Sequence, residues 1–185
     1  MTAPQGELFR RAVFLDRDGV INEAKIRNGK PYPPANLDEL RIVPEAAQAL
    51  ADLRSRGFLL IVVTNQPDVS RGTQRRETVE EINEVLRAAL PLDQFLTCYH
   101  DSGENCDCRK PRPGLLLRAA REQHIDLRRS YMVGDRWRDI DAGHNAGCQT
   151  ILIDYAYNEQ GPERTPTATV KSLREAADAI IRLAS

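Results

Sequence analysis

The chain has 185 residues, 41% hydrophobic and 29% charged, the profile of one ordinary α/β-sized domain over 1–185 that buries a core without disulfides. Its 26 basic and 27 acidic residues leave a formal net charge of −1, which argues against an electrostatic coat for nucleic acid or for an anionic membrane. The 5% of aromatic residues argue against stacking platforms for single strands.

No apolar run approaches the roughly 20 residues that cross a bilayer. Met1–Arg10 lacks the apolar stretch of a secretory leader, so a cytoplasmic protein is expected. The first strand is predicted over Ala12–Leu15, a continuous apolar run of the kind buried on both faces of a sheet. It runs directly into Asp16-Arg17-Asp18-Gly19-Val20. A carboxylate at the end of a buried strand needs a cation, and Mg²⁺ is the natural one for a cluster of hard oxygens. A helix follows, with Ala46, Ala49, Leu50 and Leu53 on one face, Pro44 in its first turn and Gly57 at its stop. The second strand, Leu59–Val63, ends in Thr64-Asn65-Gln66-Pro67. A hydroxyl and amides there serve either as loop satisfiers or as donors to phosphate oxygens.

Val79, Ile82 and Leu86 mark the second helix, and Phe95–Tyr99 the third strand. Next comes Cys98-x-His100-x5-Cys106-x-Cys108, which contains three of the four cysteines. In a reducing compartment such a cluster reads as a metal site sooner than as a disulfide. Cys148 stands apart and reads as a small core residue. Arg109-Lys110-Pro111 then place two cations beside a prolyl turn. Read alone these are solvated surface; beside the other strand ends they are anion ligands. Leu116, Ala119 and Ala120 mark the third helix, opened by Pro113.

The fourth strand, Tyr131–Val133, ends in Gly134-Asp135-Arg136-Trp137-Arg138-Asp139. Asp135 repeats the placement of Asp16, and three acids converging at strand ends make a divalent-cation site. Asp139 is either a supporting acid of that site or simply a favourable first-turn acid of the fourth helix, Trp137–Asn145. A fifth strand, Thr150–Ile153, and a last helix through Leu173, Ala176, Ala177 and Ile180 complete the chain. His124 and His144 are expected on helix surfaces, without a role. Strand–helix alternation predicts a doubly wound, Rossmann-like parallel sheet with helices on both faces, and such sheets bind ligands at the carboxyl ends of their strands.

Four of these stretches stand in order, each after a predicted strand: D-x-D-G-V, the strand-end Thr64, Lys110-Pro111 and G-D-x-x-x-D. Together they resemble the haloacid dehalogenase superfamily of phosphohydrolases, from Val13 to about Gly147. The Cys/His segment, Arg71-Gly72, R-K-P-R-P-G and Y-M-V-G-D are similar to the zinc-bearing branch that contains heptose-bisphosphate and histidinol-phosphate phosphatases, the heptose members matching better. Tyr99, Pro67 and Arg136 stand where that branch commonly has Pro, Ser and Lys.

The resemblance implies that Asp16 is the nucleophile and Asp18 the general acid and base. It gives Mg²⁺ to Asp16, the Asp18 carbonyl and Asp135. Thr64 and Lys110 would hold the transferring phosphoryl group. Asn65, Gln66, Pro67, Arg109 and Arg136 would face the substrate, the two arginines suiting a second phosphate. Cys98, His100, Cys106 and Cys108 would hold a structural Zn²⁺ in the loop 98–108, with no position left for water. Neither interval between the first three motifs has room for a cap domain. The site should be open, rimmed by the zinc loop and by Ala24–Pro34, with Ala24, Lys25, Ile26 and Arg27 as further substrate contacts. The expected substrate is a sugar bisphosphate; the alternatives are histidinol phosphate or another monoester, and an inactive zinc-bearing binding module. A monomer is expected.

Overall fold

The computed structural model describes residues 9–185; residues 1–8, on which most of the leader reading rests, lie outside the described residues. Six parallel strands form one sheet in the order β5-β4-β1-β6-β7-β8. They are β1 (Arg11–Leu15), β4 (Phe58–Asn65), β5 (Gln94–Cys98), β6 (Tyr131–Gly134), β7 (Gln149–Ile153) and β8 (Ala168–Val170). The helices are α1 (Ala46–Ser55), α2 (Arg76–Ala89), α3 (Gly114–Gln123), α4 (Trp137–Ala146) and α5 (Leu173–Leu183).

Alternation along the central strand builds two cores. Val13 and Leu15 join one cluster with residues of α1, α2 and α5. Ala12 and Phe14 point the other way, into a cluster with residues of α3 and α4. Residues 12–15 are all fully buried, which is why this strand reads as a continuous apolar run. Cys148 is buried in the second cluster, as expected.

From β1 the chain winds outward through β4 to β5, then returns to β6 on the other side of β1. The order therefore reverses between β1 and β6, and an open α/β sheet leaves its ligand crevice at such a reversal. The Asp16 amide donates to the Val133 carbonyl at 3.0 Å, joining the two strand ends there.

Three features depart from the sequence expectations. β5 stops at Cys98, so Tyr99 leaves the strand. β8 was not foreseen; three residues are too few to show a period. The segment expected as a rim loop is a hairpin, β2 (Lys25–Arg27) against β3 (Lys30–Tyr32). It turns at Asn28-Gly29, both with positive φ (52° and 73°), the pairing that tight hairpins favour. No described helix is long and apolar enough to cross a membrane.

Candidate active site

Asp16 follows β1, Thr64 and Asn65 end β4, and Asp135 follows β6. All lie at the carboxyl edge of the sheet, and a cleft of about 460 Å³ opens there. Its walls include Asp16, Asp18, Asn65, Pro67, Lys110 and Arg136 among the residues singled out from the sequence.

Lys110 is the hub. It is only 2% exposed, and its ammonium meets Asp16 Oδ1 at 2.8 Å and Asp139 Oδ1 at 2.6 Å. It also donates to the Val63 carbonyl at 2.7 Å. Burial disfavours the ammonium, but Asp139 and Asp16 outweigh it and hold its pKa above the ordinary value. The backbone of Lys110 is fixed by Asn65, whose Oδ1 accepts from the Lys110 amide and whose Nδ2 donates to its carbonyl, both at 3.1 Å. Asp139 meets both descriptions left open above. It sits in the first turn of α4, accepts from the Arg136 amide at 3.1 Å, and also orients Lys110.

Asp16 and Asp135 are buried carboxylates with too little positive charge around them. Burial pushes Asp16 up to about 6 against the pull of Lys110. Asp135 is pushed well above the carboxylate range, by burial first and then by Asp139 and Asp16. Both Asp135 oxygens are buried without a well-formed hydrogen bond among the described residues; the Tyr157 hydroxyl is near enough to offset only part of the burial. Gly19, at φ +87°, lies so close that a Cβ there would stand 1.9 Å from Asp135 Oδ2. Oxygens of Asp16, Asp135 and Asp139 all lie within 4.8 Å of one another. Buried, oxygen-only and with three carboxylates against the single ammonium of Lys110, this set fits a hard divalent cation.

The Asp18 carboxylate stays out of that cluster. Its Oδ1 accepts from Arg17 Nε at 3.2 Å and Asn22 Nδ2 at 3.0 Å. Its Oδ2 accepts from Arg17 Nη2 at 3.1 Å and Gln66 Nε2 at 2.8 Å. Any metal contact from this residue therefore comes from its backbone carbonyl. Arg17, fully buried and also donating to Asn83 Oδ1 at 3.0 Å, is a positioning residue that the sequence reading passed over. The signal was a cation inside an apolar flank, between two acids. Gln66 also donates to Thr64 Oγ1 at 2.9 Å, which leaves the Thr64 hydroxyl proton free for another acceptor.

Other candidate residues lie differently from expectation. Ala24, Lys25, Ile26 and Arg27 do not line the cleft; Lys30, Pro31, Tyr32 and Pro33 do. The Asn28-Gly29 reversal presents the second strand of the hairpin instead of the first. Ala24 and Ile26 line a separate cavity of about 620 Å³ with Tyr155 and Tyr157. Arg109 also stays outside the cleft wall: its Nη1 donates to the His100 carbonyl at 3.1 Å, and Asp101 lies 3.9 Å away. Arg136 lines the cleft but is paired with Glu159 through two hydrogen bonds. Trp137, Arg138, Asp68 and Arg71 also line it, none of them assigned a site role from the sequence. His124 is exposed at the left-handed end of α3, whereas His144 is only half-buried beside Thr150 and the Thr165 carbonyl.

Cys98, His100, Cys106 and Cys108 converge beyond β5. Cys98 Sγ lies 3.2 Å from Cys108 Sγ, 4.0 Å from Cys106 Sγ and 3.6 Å from His100 Nδ1. A tetrahedral Zn²⁺ with ordinary bond lengths separates its ligands by about 3.5–3.8 Å, so the donor set fits. The loop meets the cleft through Asp101, which accepts from Arg71 at 2.8 and 2.6 Å.

The HAD-hydrolase-like family model matches residues 107–176. A D-glycero-beta-D-manno-heptose-1,7-bisphosphate 7-phosphatase of Helicobacter pylori strain J99 is 35% identical over 176 residues, 91% of this chain and 95% of that one. Its Escherichia coli K12 counterpart is 36% identical over 154 residues, 77% of this chain and 78% of that one. Among solved structures, a D,D-heptose 1,7-bisphosphate phosphatase from B. bronchiseptica, complexed with magnesium and phosphate, superposes with a TM-score of 0.80. It is 28% identical and covers 94% of this chain and 99% of its own.

Proposed function

The chain belongs to the haloacid dehalogenase-like phosphatases of the heptose-1,7-bisphosphate 7-phosphatase family, and we propose that it removes the C7 phosphate of a D-glycero-D-manno-heptose 1,7-bisphosphate. The observation that carries this reading is the Lys110 bridge between Asp16 and Asp139, beside the buried Asp135, at the reversal of the sheet.

In the proposed reaction an Asp16 oxygen bonds to phosphorus as the bond from phosphorus to the C7 oxygen breaks. Asp18 gives its proton to that leaving oxygen, and the product is a sugar alcohol with an aspartyl phosphate on the protein. Asp18, now a carboxylate, takes a proton from water. The water oxygen displaces Asp16 from phosphorus, inorganic phosphate leaves, and both side chains return to their starting states. Lys110 and the Thr64 hydroxyl hold the phosphoryl oxygens in line, which is most of what phosphoryl transfer asks of a protein. Asp16, Asp135 and the Asp18 carbonyl would hold Mg²⁺, with Asp139 in support; bound there, the ion supplies the charge that lets a carboxylate approach a phosphate dianion. Asn65 and Pro67 border the sugar, whereas Gln66, expected there too, is buried outside the cleft wall and positions Asp18 and Thr64. Arg136, on leaving Glu159, and Arg109, on leaving the His100 carbonyl, reach the second phosphate. The proposed enzyme is a cytoplasmic monomer acting on a small sugar phosphate.

The test is a hydrolysis comparison. The 1,7-bisphosphate should be cleaved at C7 on the order of a hundredfold faster than the 7-monophosphate, the worth of one or two charge-assisted bonds. Faster turnover of histidinol phosphate than of either sugar would sink the assignment.

The Cys98, His100, Cys106, Cys108 set is proposed to hold one structural Zn²⁺. Elemental analysis of protein purified without chelators should find one zinc per chain. Its removal should lower thermal stability by only part of the roughly 10–16 kcal/mol that zinc contributes in small peptides, because the first core contains no residue of the loop and the second meets it only through Cys98, Cys106 and Cys108. Protein without zinc but with unchanged stability and activity would refute the site.

A further inference from the structure

The cleft contains several cations. Lys30 is exposed and has no ion pair among the described residues, but most of the others are engaged. Lys110 is shared by Asp16 and Asp139, Arg71 by Asp68 and Asp101, and Arg136 by Glu159. Arg138 differs. It lines the cleft and is half-buried, yet it has no ion pair and no side-chain hydrogen bond among the described residues. Its guanidinium carbon lies 4.4 Å from the centroid of the Trp137 ring, so a flat aromatic face holds the group without using its donors.

Its position in the fold is also unfavourable for a cation. Arg138 is the second residue of α4, where the helix dipole disfavours positive charge and welcomes an anion. Burial, and the nearby charges of Arg136 and Arg109, further weaken its hold on its proton. A half-buried, aromatic-backed arginine with its five donors uncommitted at a helix start breaks a local rule that the chain compensates only in part: Glu159 and Asp139 favour its charge, yet neither pairs with it. Such breaks are expected where a ligand supplies the compensation.

We propose that Arg138, backed by Trp137, is the principal receptor for the second phosphate of the substrate, ahead of Arg136 and Arg109. This rests on the bisphosphate reading above and deepens it. Arg136 and Arg109 must each give up a partner to bind an anion, whereas Arg138 gives up none. Preorganisation of that kind favours the group that has least to rearrange. Arg138 is then a specificity-determining residue: it touches the end of the substrate that does not react, and Lys110 touches the end that does.

The experiment uses the full chain loaded with Mg²⁺ and three substrates: a heptose 1,7-bisphosphate, its 7-monophosphate and p-nitrophenyl phosphate. Arg138→Gln should reduce the bisphosphate-over-monophosphate ratio of kcat/KM by about tenfold or more. The loss should appear mainly as a raised KM for the bisphosphate, with much smaller changes on the two monoesters. Arg138→Lys keeps the charge and should recover part of the ratio, and it provides a folded comparison should the Gln variant be unstable. A merely structural Arg138 would lower all three activities together. Three results would overturn the proposal. One is a wild-type preference that survives Arg138→Gln; another is a preference lost only in Arg136→Ala or Arg109→Ala. The third, a wild-type enzyme active on all three substrates with no preference for the bisphosphate, would remove the functional reading itself and the role of Arg138 with it.

Discussion

Asp16→Asn is expected to lose roughly 10⁴-fold or more in turnover, the scale seen when a covalent nucleophile is removed. The amide keeps the shape and the burial, but it is a poor nucleophile for phosphorus and a poorer ligand for a hard cation. The variant should nevertheless be at least as stable as the parent when metal is chelated. Burial raises the Asp16 pKa from 3.8 to about 6 despite Lys110, so the folded metal-free protein holds that proton more tightly than the unfolded chain. A group of this kind favours the fold below about pH 4, and its contribution is lost as pH rises through about 6. Above pH 6 the ionised Asp16 therefore costs about 3 kcal/mol, a cost the neutral Asn does not carry. Denaturant melts with EDTA should show the stability gap between variant and parent opening between pH 4 and 6 and levelling above that. Substantial phosphate release by the purified variant would remove Asp16 from the nucleophile role. An inactive variant with no stability gain at pH 8 would remove the claim that the site is short of positive charge.

The same property explains why the centre of this fold was legible in the sequence and its edges were not. Strands buried on both faces appear as unbroken apolar runs, so β1, β4, β6 and β7 were predicted to within a residue or two at most ends. An acid or hydroxyl directly after such a run stands out, and Asp16, Thr64 and Asp135 were located on that basis. Their roles came from resemblance, because no periodicity distinguishes a nucleophile from a metal ligand. What the sequence hid was set by contacts between distant segments. The hairpin carries the Asn28-Gly29 turn signal, yet its strands are mostly exposed and three residues long. That it meets the cleft through Lys30–Pro33 depends on how it packs. Arg17 stands unmarked between two aspartates in the sequence; only the fold buries it against Asn83. Arg109, adjacent to Lys110 in sequence, turns instead to the His100 carbonyl, because the Cys/His loop passes directly beside it.

Lys110→Met should damage both activity and stability, and the pH dependence separates the two effects. Activity should fall by roughly 10³-fold on the bisphosphate and on simple monoesters alike, because Lys110 is placed at the reacting phosphoryl group. Stability should fall by about 3–5 kcal/mol at pH 8, the cost of removing one partner from a buried ionic group. Methionine keeps much of the volume, so packing is a minor part of that loss; the larger part is Asp16 and Asp139 facing each other without the ammonium between them. In the parent the raised Lys110 pKa means its contribution is fully present at pH 8 and fades only as pH climbs past 10.5. In the variant Asp16 loses the one cation that lowers its pKa, so its folded-state pKa rises further. Protonation then restores the fold from the acid side, and the gap between variant and parent should narrow steadily as pH drops from 8 toward 4 in the absence of metal. A gap that stays constant over this range would mean that Lys110 stabilises by packing alone. A variant that lost the bisphosphate reaction but kept its monoester activity would move Lys110 from the reacting phosphate to the distal one, and the division of labour between Lys110 and the cleft arginines would be reversed.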